Sequence, residues 1–545
     1  MYIFKRSINK GHGAPAPPAG STAAAGAATR NATTGHGSHA APAAGGAVKG
    51  MAPPGGEAMS SDQAASNLGV ASTASTSSLS QSPPTTNGPG ATSTAGSASA
   101  GLMPPPPPAA ATAAVVPPAF AEGMKPMRMK VRLSFRTDIG GMFENQDESF
   151  VWRDEGGGSV VIGVLDGHGR DVGQLAARCV KAFMQDWLSH HWGEVKADPA
   201  NAFRTMFAES HAAMRRTFRE HLSSQGWTVK EHGGYLVKRR GVTQPWTCVH
   251  GGTSASLVAL VEGRTLLAAN VGDSAALLSA SGRKTEVGDL VQHSMWEDGG
   301  GMMEPCRDPG TVGHPDSASG AAKITDPQTL LVTADHSPES PREFERMRRA
   351  FPSPTNPRSP SLLVVYDSPN SNKLKCCPVF ELDDAGKPRV TGRGRYYKNV
   401  RREWASLVAT PPRARFQDAL AFTRSLGDFH LQSYGVTHIP DVMSLDLQHI
   451  FHRDQDGEAP AEMVACLVVA SDGVWDNWLW DEVSAFFMRK ERLEQVRASN
   501  SAETAITDFM GENARRANAN FGAQADNSTC VACYLIVTGD VESSA

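Results

Sequence analysis

Acidic residues are missing from the first 56 positions of this 545-residue chain, the first being Glu57. Up to about Pro118 the sequence is almost entirely Ala, Gly, Pro, Ser and Thr, a composition that buries too little apolar surface to offset its chain entropy. Residues 1–125 are therefore read as a disordered leader, and the ~420 residues that follow as the folded part. Cysteine is also scarce. Eight in a chain of this length exclude a disulfide scaffold. Cys530 and Cys533 form a CxxC, but in a strand residues three apart face opposite sides, so they read as core thiols rather than joint metal ligands. Cys376 and Cys377 take the same reading. No apolar run approaches the ~18 residues of a membrane span, and a net charge of −4 argues against a chain built to coat nucleic acid.

The leader carries scattered Lys5, Arg6, Lys10, Arg30 and Lys49, a texture shared with organelle transit peptides. These charges form no clear amphipathic helix, so a low-complexity tail on a cytoplasmic or nuclear protein is the preferred reading, with a chloroplast or mitochondrial address as the alternative. The run Pro104 to Pro108 reads as a stiff polyproline spacer.

After Lys130 the pattern changes. Strands are predicted at 131–135 and 159–166, helices at 171–188 and 199–221, then three strands in succession, TSASLVALV, RTLLAANVG and AALLSA, as an antiparallel meander. Further strands are expected at 330–333, 442–447, 464–470 and 529–537, and helices at 341–350, 480–498 and 502–518. Strands in runs with helices in pairs indicate an α+β layered fold. Two stretches, 282–324 and 352–417, read as insertions into a single domain spanning 126–540.

The chemistry lies in where aspartates fall. Asp166 ends a buried strand and precedes Gly167, His168 and Gly169; Asp273 follows the LLAANV strand; Asp472 follows MVACLVVAS, with Asp476 four residues on. Asp526 and Asp147 each stand just before a strand. Such loops can converge on one sheet edge. Clustered carboxylates raise one another's pKa or require a cation, and an all-oxygen set favours a hard ion such as Mg²⁺ or Mn²⁺. Taken singly, each Asp-Gly is equally an ordinary turn.

The order of these segments resembles the metal-dependent serine/threonine protein phosphatases of the 2C type (PPM). The matches are NQDESF at 145–150, VIGVLDGHGR at 161–170, GGTSASL at 251–257, AANVGDSAALL at 268–278, TADHSPESPREFERMRR at 333–349, LAFTRSLGD at 420–428, VVASDGVWD at 468–476 and DNST at 526–529. VFELDDAGKPRV and GDFHLQSYGVTHIPDV look like the plant-type branch. The resemblance implies a four-layer α-β-β-α sandwich of two antiparallel sheets flanked by helix pairs, with two metal ions in a cleft at one end. It implies that Asp166 bridges both ions, that the Gly167 carbonyl binds one, that Asp472 and Asp526 ligate directly, and that Asp147 acts mainly through metal-bound water. Asp273 and Asp476 match a third, weaker metal position, for which turn-stabilising contacts are the alternative. A metal-bridging water would attack phosphorus without a phosphoenzyme, and His168 would protonate the leaving oxygen. The implied partners are phosphorylated proteins, met by a monomer.

Departures accompany the match. The family's phosphate-holding Arg or Lys is replaced by Met142, with Arg136 out of register; Gln146 stands where the animal branch has Glu; and Ala275 replaces the Arg of GDSR. The expectation is activity with weaker phosphate affinity, against a non-catalytic binding module or a dimetal phosphoesterase of small molecules. The stretch 387–415, with Arg393, Arg395, Lys398, Arg401 and Arg402 around Tyr396, Tyr397 and Trp404, reads first as a solvated loop, then as a docking surface for an acidic or phosphorylated substrate, then as a nucleic-acid patch.

Overall fold

The computed structural model describes residues 129–281, 324–326, 328–369, 372–451 and 462–538. The leader and nearly all of the first insertion lie outside the described residues, while the second insertion lies largely within them.

Two antiparallel sheets form the centre. One runs in the order Met129–Asp138, Ser528–Thr538, Glu462–Ala470, Ala275–Ala280, Thr329–Leu331. In the other, Val160–His168 pairs with Asp147–Arg153 on one side and with Ala255–Val261 and Gly252–Thr253 on the other. Thr265–Val271 and Asp441–Asp446 extend this second sheet, and Leu426–Gly427 pairs with Gly252–Thr253.

Alternation along the strands divides the apolar residues among three cores. Ile162, Val164, Val258 and Ala268 of the second sheet meet Leu278, Leu467, Val531 and Leu535 of the first. Their neighbours Val161, Leu165, Leu257 and Leu267 face outward against Val180, Met184, Phe203 and Phe207 of helices Gly173–Ala197 and Pro199–Ser224. On the far side, Leu277, Val468, Ala532 and Tyr534 pack on Val483, Phe487, Ile506 and Phe509 of helices Trp480–Met488 and Glu503–Phe521. The layer order is helix, sheet, sheet, helix, as expected.

Packing outweighs local signals in placing the helices. Gly173–Ala197 starts with no side-chain cap and no acid in its first turn. Each fully buried Leu or Phe side chain is worth roughly 1.5–3 kcal/mol, more than a missing cap costs. Its partner does start on a cap: Asp198 accepts a hydrogen bond from the Asn201 amide at 3.2 Å, and Pro199 fills the first turn.

The structure corrects three expectations. The three central strands are not one meander: Thr265–Val271 stays in the second sheet while Ala275–Ala280 joins the first, the chain crossing between layers at Gly272 with φ +94°. The helix expected over 480–498 is two, Trp480–Met488 and Lys490–Ser499, separated at Arg489, whose backbone is extended. Thr228–His232, Tyr235–Arg239 and Thr247–Cys248 form a small sheet absent from the sequence reading. The CxxC behaves as expected, Cys530 facing one core and Cys533 the other, both buried and free.

Within 352–417, Leu363–Tyr366 pairs with Ser406–Ala409, which pairs with Ala419–Leu420. A hairpin of Phe380–Leu382 and Pro388–Val390 lies beside them. Tyr366, Val379, Val408 and Leu420 share a core with Phe344 and Met347 of helix Pro341–Ala350. This insertion is folded and not a loop.

Candidate metal centre and active site

Antiparallel pairing brings the aspartates to one rim. Asp147 opens its strand directly opposite Asp166, near the end of the neighbouring one. Asp273 sits in the crossing between layers, Asp472 is the first residue of the short helix Asp472–Trp475 after Glu462–Ala470, and Asp526 lies two residues before Ser528–Thr538. Carboxylate oxygens of Asp166, Asp273 and Asp472 all lie within 4.8 Å of one another.

The loops are held together by backbone contact. A Cβ on Gly167 would stand 2.4 Å from the Gln146 carbonyl oxygen and 2.5 Å from that of Gly173. One on Gly473 would stand 1.9 Å from the Asn527 carbonyl oxygen, so the Asp472 and Asp526 loops touch only because residue 473 has no side chain. Asn527 ties in a third loop, its Oδ1 accepting from the Gln146 amide at 2.8 Å and its Nδ2 donating to the Glu144 and Ile139 carbonyls.

The electrostatics of this rim are those of a site short of positive charge. Burial, followed by the charges of Asp526 and Asp472, pushes Asp147 up to about 7, although Ser471 Oγ donates to its Oδ2 at 2.7 Å. Asp166 is raised well above the usual carboxylate range by burial and by Asp147, Asp472, Asp273 and Asp526. Oδ1 of Asp147 is buried without a hydrogen-bond partner. A buried orphan acceptor beside mutually repelling carboxylates, in a donor set made only of oxygen, fits a hard divalent ion.

His168 ends its strand with Nε2 2.6 Å from Asp428 Oδ2 and its ring edge-on to Phe422. Burial alone would lower its pKa; the charge and hydrogen bond of Asp428, helped by Asp273, raise it instead. Asp428 stands at φ +42°, and Gly252 makes room for it, since a Cβ there would come within 2.4 Å of Oδ2. The signal in the sequence that could have marked Asp428 is its place after Gly427 in LAFTRSLGD, the same Gly-Asp pair as Gly272–Asp273.

A second cluster, His336, Glu343 and Asp441, has metal-ligand composition but is saturated by arginine. Arg424 reaches Glu343 at 2.6 Å and Asp441 at 3.2 Å, Arg346 reaches Glu343 at 2.9 Å, and Arg342 also pairs with Asp441. Against the cost of burial, Arg424 and its fellow arginines hold both carboxyls well below their usual range. This network accounts structurally for much of the DHSPESPREFERMRR and TRSLGD segments.

The departures find places too. Arg136 pairs with Glu503 on an exposed face, and Ala275 pairs across the sheet with Ala470. The solvated-loop reading of 387–415 fails for residues 398–401 but holds for Arg402, which is exposed. Asn399 and Arg401 are buried, the Val400 amide donates to the Asp476 carbonyl at 3.2 Å, and the Arg401 guanidinium lies over Trp480 at 4.3 Å while donating to the Trp475 carbonyl. Burial works against the charge on Lys398, but Glu403, Asp273 and Asp476 together raise its pKa. No local signal in the sequence marks Lys398, because its neighbours come from distant segments. Asp476 is 3% exposed and lies at this contact.

The protein phosphatase 2C family model matches residues 402–519. Probable protein phosphatase 2C 64 of Oryza sativa subsp. japonica is 25% identical over 396 residues, 72% of this chain and 62% of the relative. Probable protein phosphatase 2C 72 of Arabidopsis thaliana is 23% identical over 367 residues, 66% of this chain and 74% of the relative. The chain thus spans less than two thirds of the length of the rice relative. A crystal structure of serine-threonine phosphatase 2C from Toxoplasma gondii matches 75% of this chain and 96% of its own at 16% identity, with a TM-score of 0.41, too loose to add to the layer order seen directly. Family model and plant relatives agree with the motif order, and over the segments they match the chain is similar to protein phosphatases 2C.

Proposed function

We propose that this chain is a metal-dependent phosphatase that hydrolyses phosphoserine and phosphothreonine in proteins. The observation that carries the reading is the convergence of Asp166, Asp273 and Asp472 within 4.8 Å, beside the orphaned Oδ1 of Asp147. Asp166, with Asp147, Asp472, Asp526 and the Gly167 carbonyl, would hold two Mg²⁺ or Mn²⁺ ions; Asp273, which converges with Asp166 and Asp472, and Asp476, just past the short helix that Asp472 opens, match a third, weaker position. When bound, such ions neutralise a phosphate dianion and acidify water.

The protein's own groups do the rest. The loops joined at Gly167, Gly473 and Asn527 fix the carboxylates before substrate arrives, so little reorganisation is needed. His168, whose pKa Asp428 raises, would deliver a proton to the leaving serine or threonine oxygen, which could not depart as an alkoxide near neutral pH. The leader and the two insertions attach to one catalytic domain, acting as a monomer in the cytoplasm or nucleus; a fluorescent fusion of residues 1–60 separates that address from an organelle.

A second reading, a family member that binds phosphorylated partners without hydrolysing them, is favoured by Met142 and Ala275, where the expected cations are absent. Hydrolysis of a phosphothreonine peptide with Mn²⁺, with Asp166→Asn as control, separates the two. Metal-dependent turnover abolished in the variant supports the enzyme; none in either protein supports the binding module.

A further inference from the structure

Resting on the phosphatase reading, we propose that His211 is a positioning residue for the proton-donating step: with His438 and Gln432 it brackets Gly427, so that the next residue, Asp428, keeps its carboxylate against His168.

Side chains take both backbone groups of Gly427. Its amide donates to Nδ1 of His211, a buried residue of helix Pro199–Ser224, at 3.1 Å. Its carbonyl accepts from Gln432 Nε2 at 3.0 Å, and the same nitrogen donates to the Ser425 carbonyl at 2.9 Å. An amide N–H can only donate, so His211 Nδ1 carries no proton and the ring is neutral. With Nε2 turned to two carbonyls, Gln432 presents Oε1 to His438 Nδ1 at 2.9 Å, which is therefore the donor. The His211 and His438 rings stack with centroids 4.3 Å apart and planes 5° from parallel. Burial, with the charges of His438 and of Arg215 on the same helix, holds His211 well below the usual imidazole range, so the acceptor persists near neutral pH.

What the bracket holds is an unfavourable backbone. Asp428 stands at φ +42°, a region that residues with a Cβ seldom adopt and keep only when their surroundings enforce it. Gly427 before it is at φ +87°, and a Cβ there would lie 2.7 Å from Gly252 Cα and 3.1 Å from Cε of Met214, three residues after His211 in the same helix. The Asp428 amide donates to the Gly251 carbonyl at 3.1 Å. Fixed through Gly427 on one side and Gly251 on the other, Asp428 has no room to relax, and its Oδ2 stays 2.6 Å from His168 Nε2. His211 touches no reacting atom and acts through this turn.

The experiment measures kcat and KM of the full-length chain with Mn²⁺ and a phosphothreonine peptide. His211→Phe keeps a ring to stack on His438 but removes the acceptor, and should lower kcat by roughly 10–100-fold while KM holds. His211→Asn offers Oδ1 as an acceptor at the same remove from the backbone as Nδ1 and should restore most of the loss. Gln432→Met cuts the bracket from the other side and should also lower kcat alone, a result readable even if His211→Phe fails to fold. In an Asp428→Asn background, His211→Phe should cost less than about threefold more, because the two act as one unit. An unchanged kcat in His211→Phe and Gln432→Met, a loss as large in His211→Asn as in His211→Phe, or full additivity with Asp428→Asn would overturn the proposal. Wild-type protein with no turnover overturns the phosphatase reading as well, which the other outcomes leave standing.

Discussion

His168 Nε2 lies 2.6 Å from Asp428 Oδ2, although the two residues are 260 positions apart in sequence. Asp428 touches no reacting atom in this account and acts by holding the imidazole charged and oriented. Asp428→Asn removes the charge that raises the His168 pKa, so the protonated imidazole is lost at lower pH. The alkaline limb of the kcat profile should therefore move to more acidic pH while KM holds. His168→Ala should lower kcat by roughly 10²–10⁴-fold at neutral pH. A pH profile unchanged in Asp428→Asn contradicts the positioning role.

Arg424, Glu343 and Asp441 predict an effect on stability rather than chemistry. All three are at most 5% exposed, and removing one partner leaves an uncompensated buried charge. Arg424→Met should cost about 3–5 kcal/mol in urea unfolding. Glu343 and Asp441 have lowered pKa values in the folded state, so their contribution is complete above the unfolded carboxylate range. It is lost as pH falls through the folded values, and unfolding midpoints should drop below about pH 4.

Asp147 gives the opposite sign. Its folded pKa is pushed up to about 7, so the metal-free protein loses stability as pH rises from the unfolded value near 4 towards 7, and the full penalty applies above that. Mn²⁺ removes the penalty by neutralising the cluster. It should raise the melting temperature more at about pH 8 than at about pH 5, where protons compete for the same oxygens. Scanning fluorimetry with and without the ion checks this.

Gly473 and Gly511 form a matched pair of tests. A methyl at 473 meets the Asn527 carbonyl oxygen at 1.9 Å, whereas nothing lies within 4 Å of one at 511. Gly473→Ala should cost about 1–3 kcal/mol and weaken Mn²⁺ binding by separating Asp472 from Asp526. Gly511→Ala, on an exposed face of a helix, should stabilise by about 0.4–1 kcal/mol.

Much of this arrangement was legible because it is written locally. Asp166 stands near the end of a buried strand, and Asp273 and Asp472 each come just after one; such runs mark their own ends. What was not legible depends on contacts between distant segments. The crossing at Gly272–Asp273 reads as a hairpin turn, since both flanking strands are short, apolar and buried, and only pairing with Glu462–Ala470 reveals the change of sheet. Thr228–His232 was missed because its residues are mostly exposed and polar, giving no apolar alternation. Lys398 looked like one charge in a basic run until the insertion folded against Asp476.

The most direct test of the central claim is phosphate release from a phosphothreonine peptide by metal-stripped full-length protein as Mn²⁺ is added back. Turnover that is absent without the ion, rises with it to saturation, and disappears in Asp166→Asn is the predicted result. Turnover that survives metal removal or the Asp166→Asn substitution, or that never appears in the Mn²⁺-loaded wild type, would contradict it.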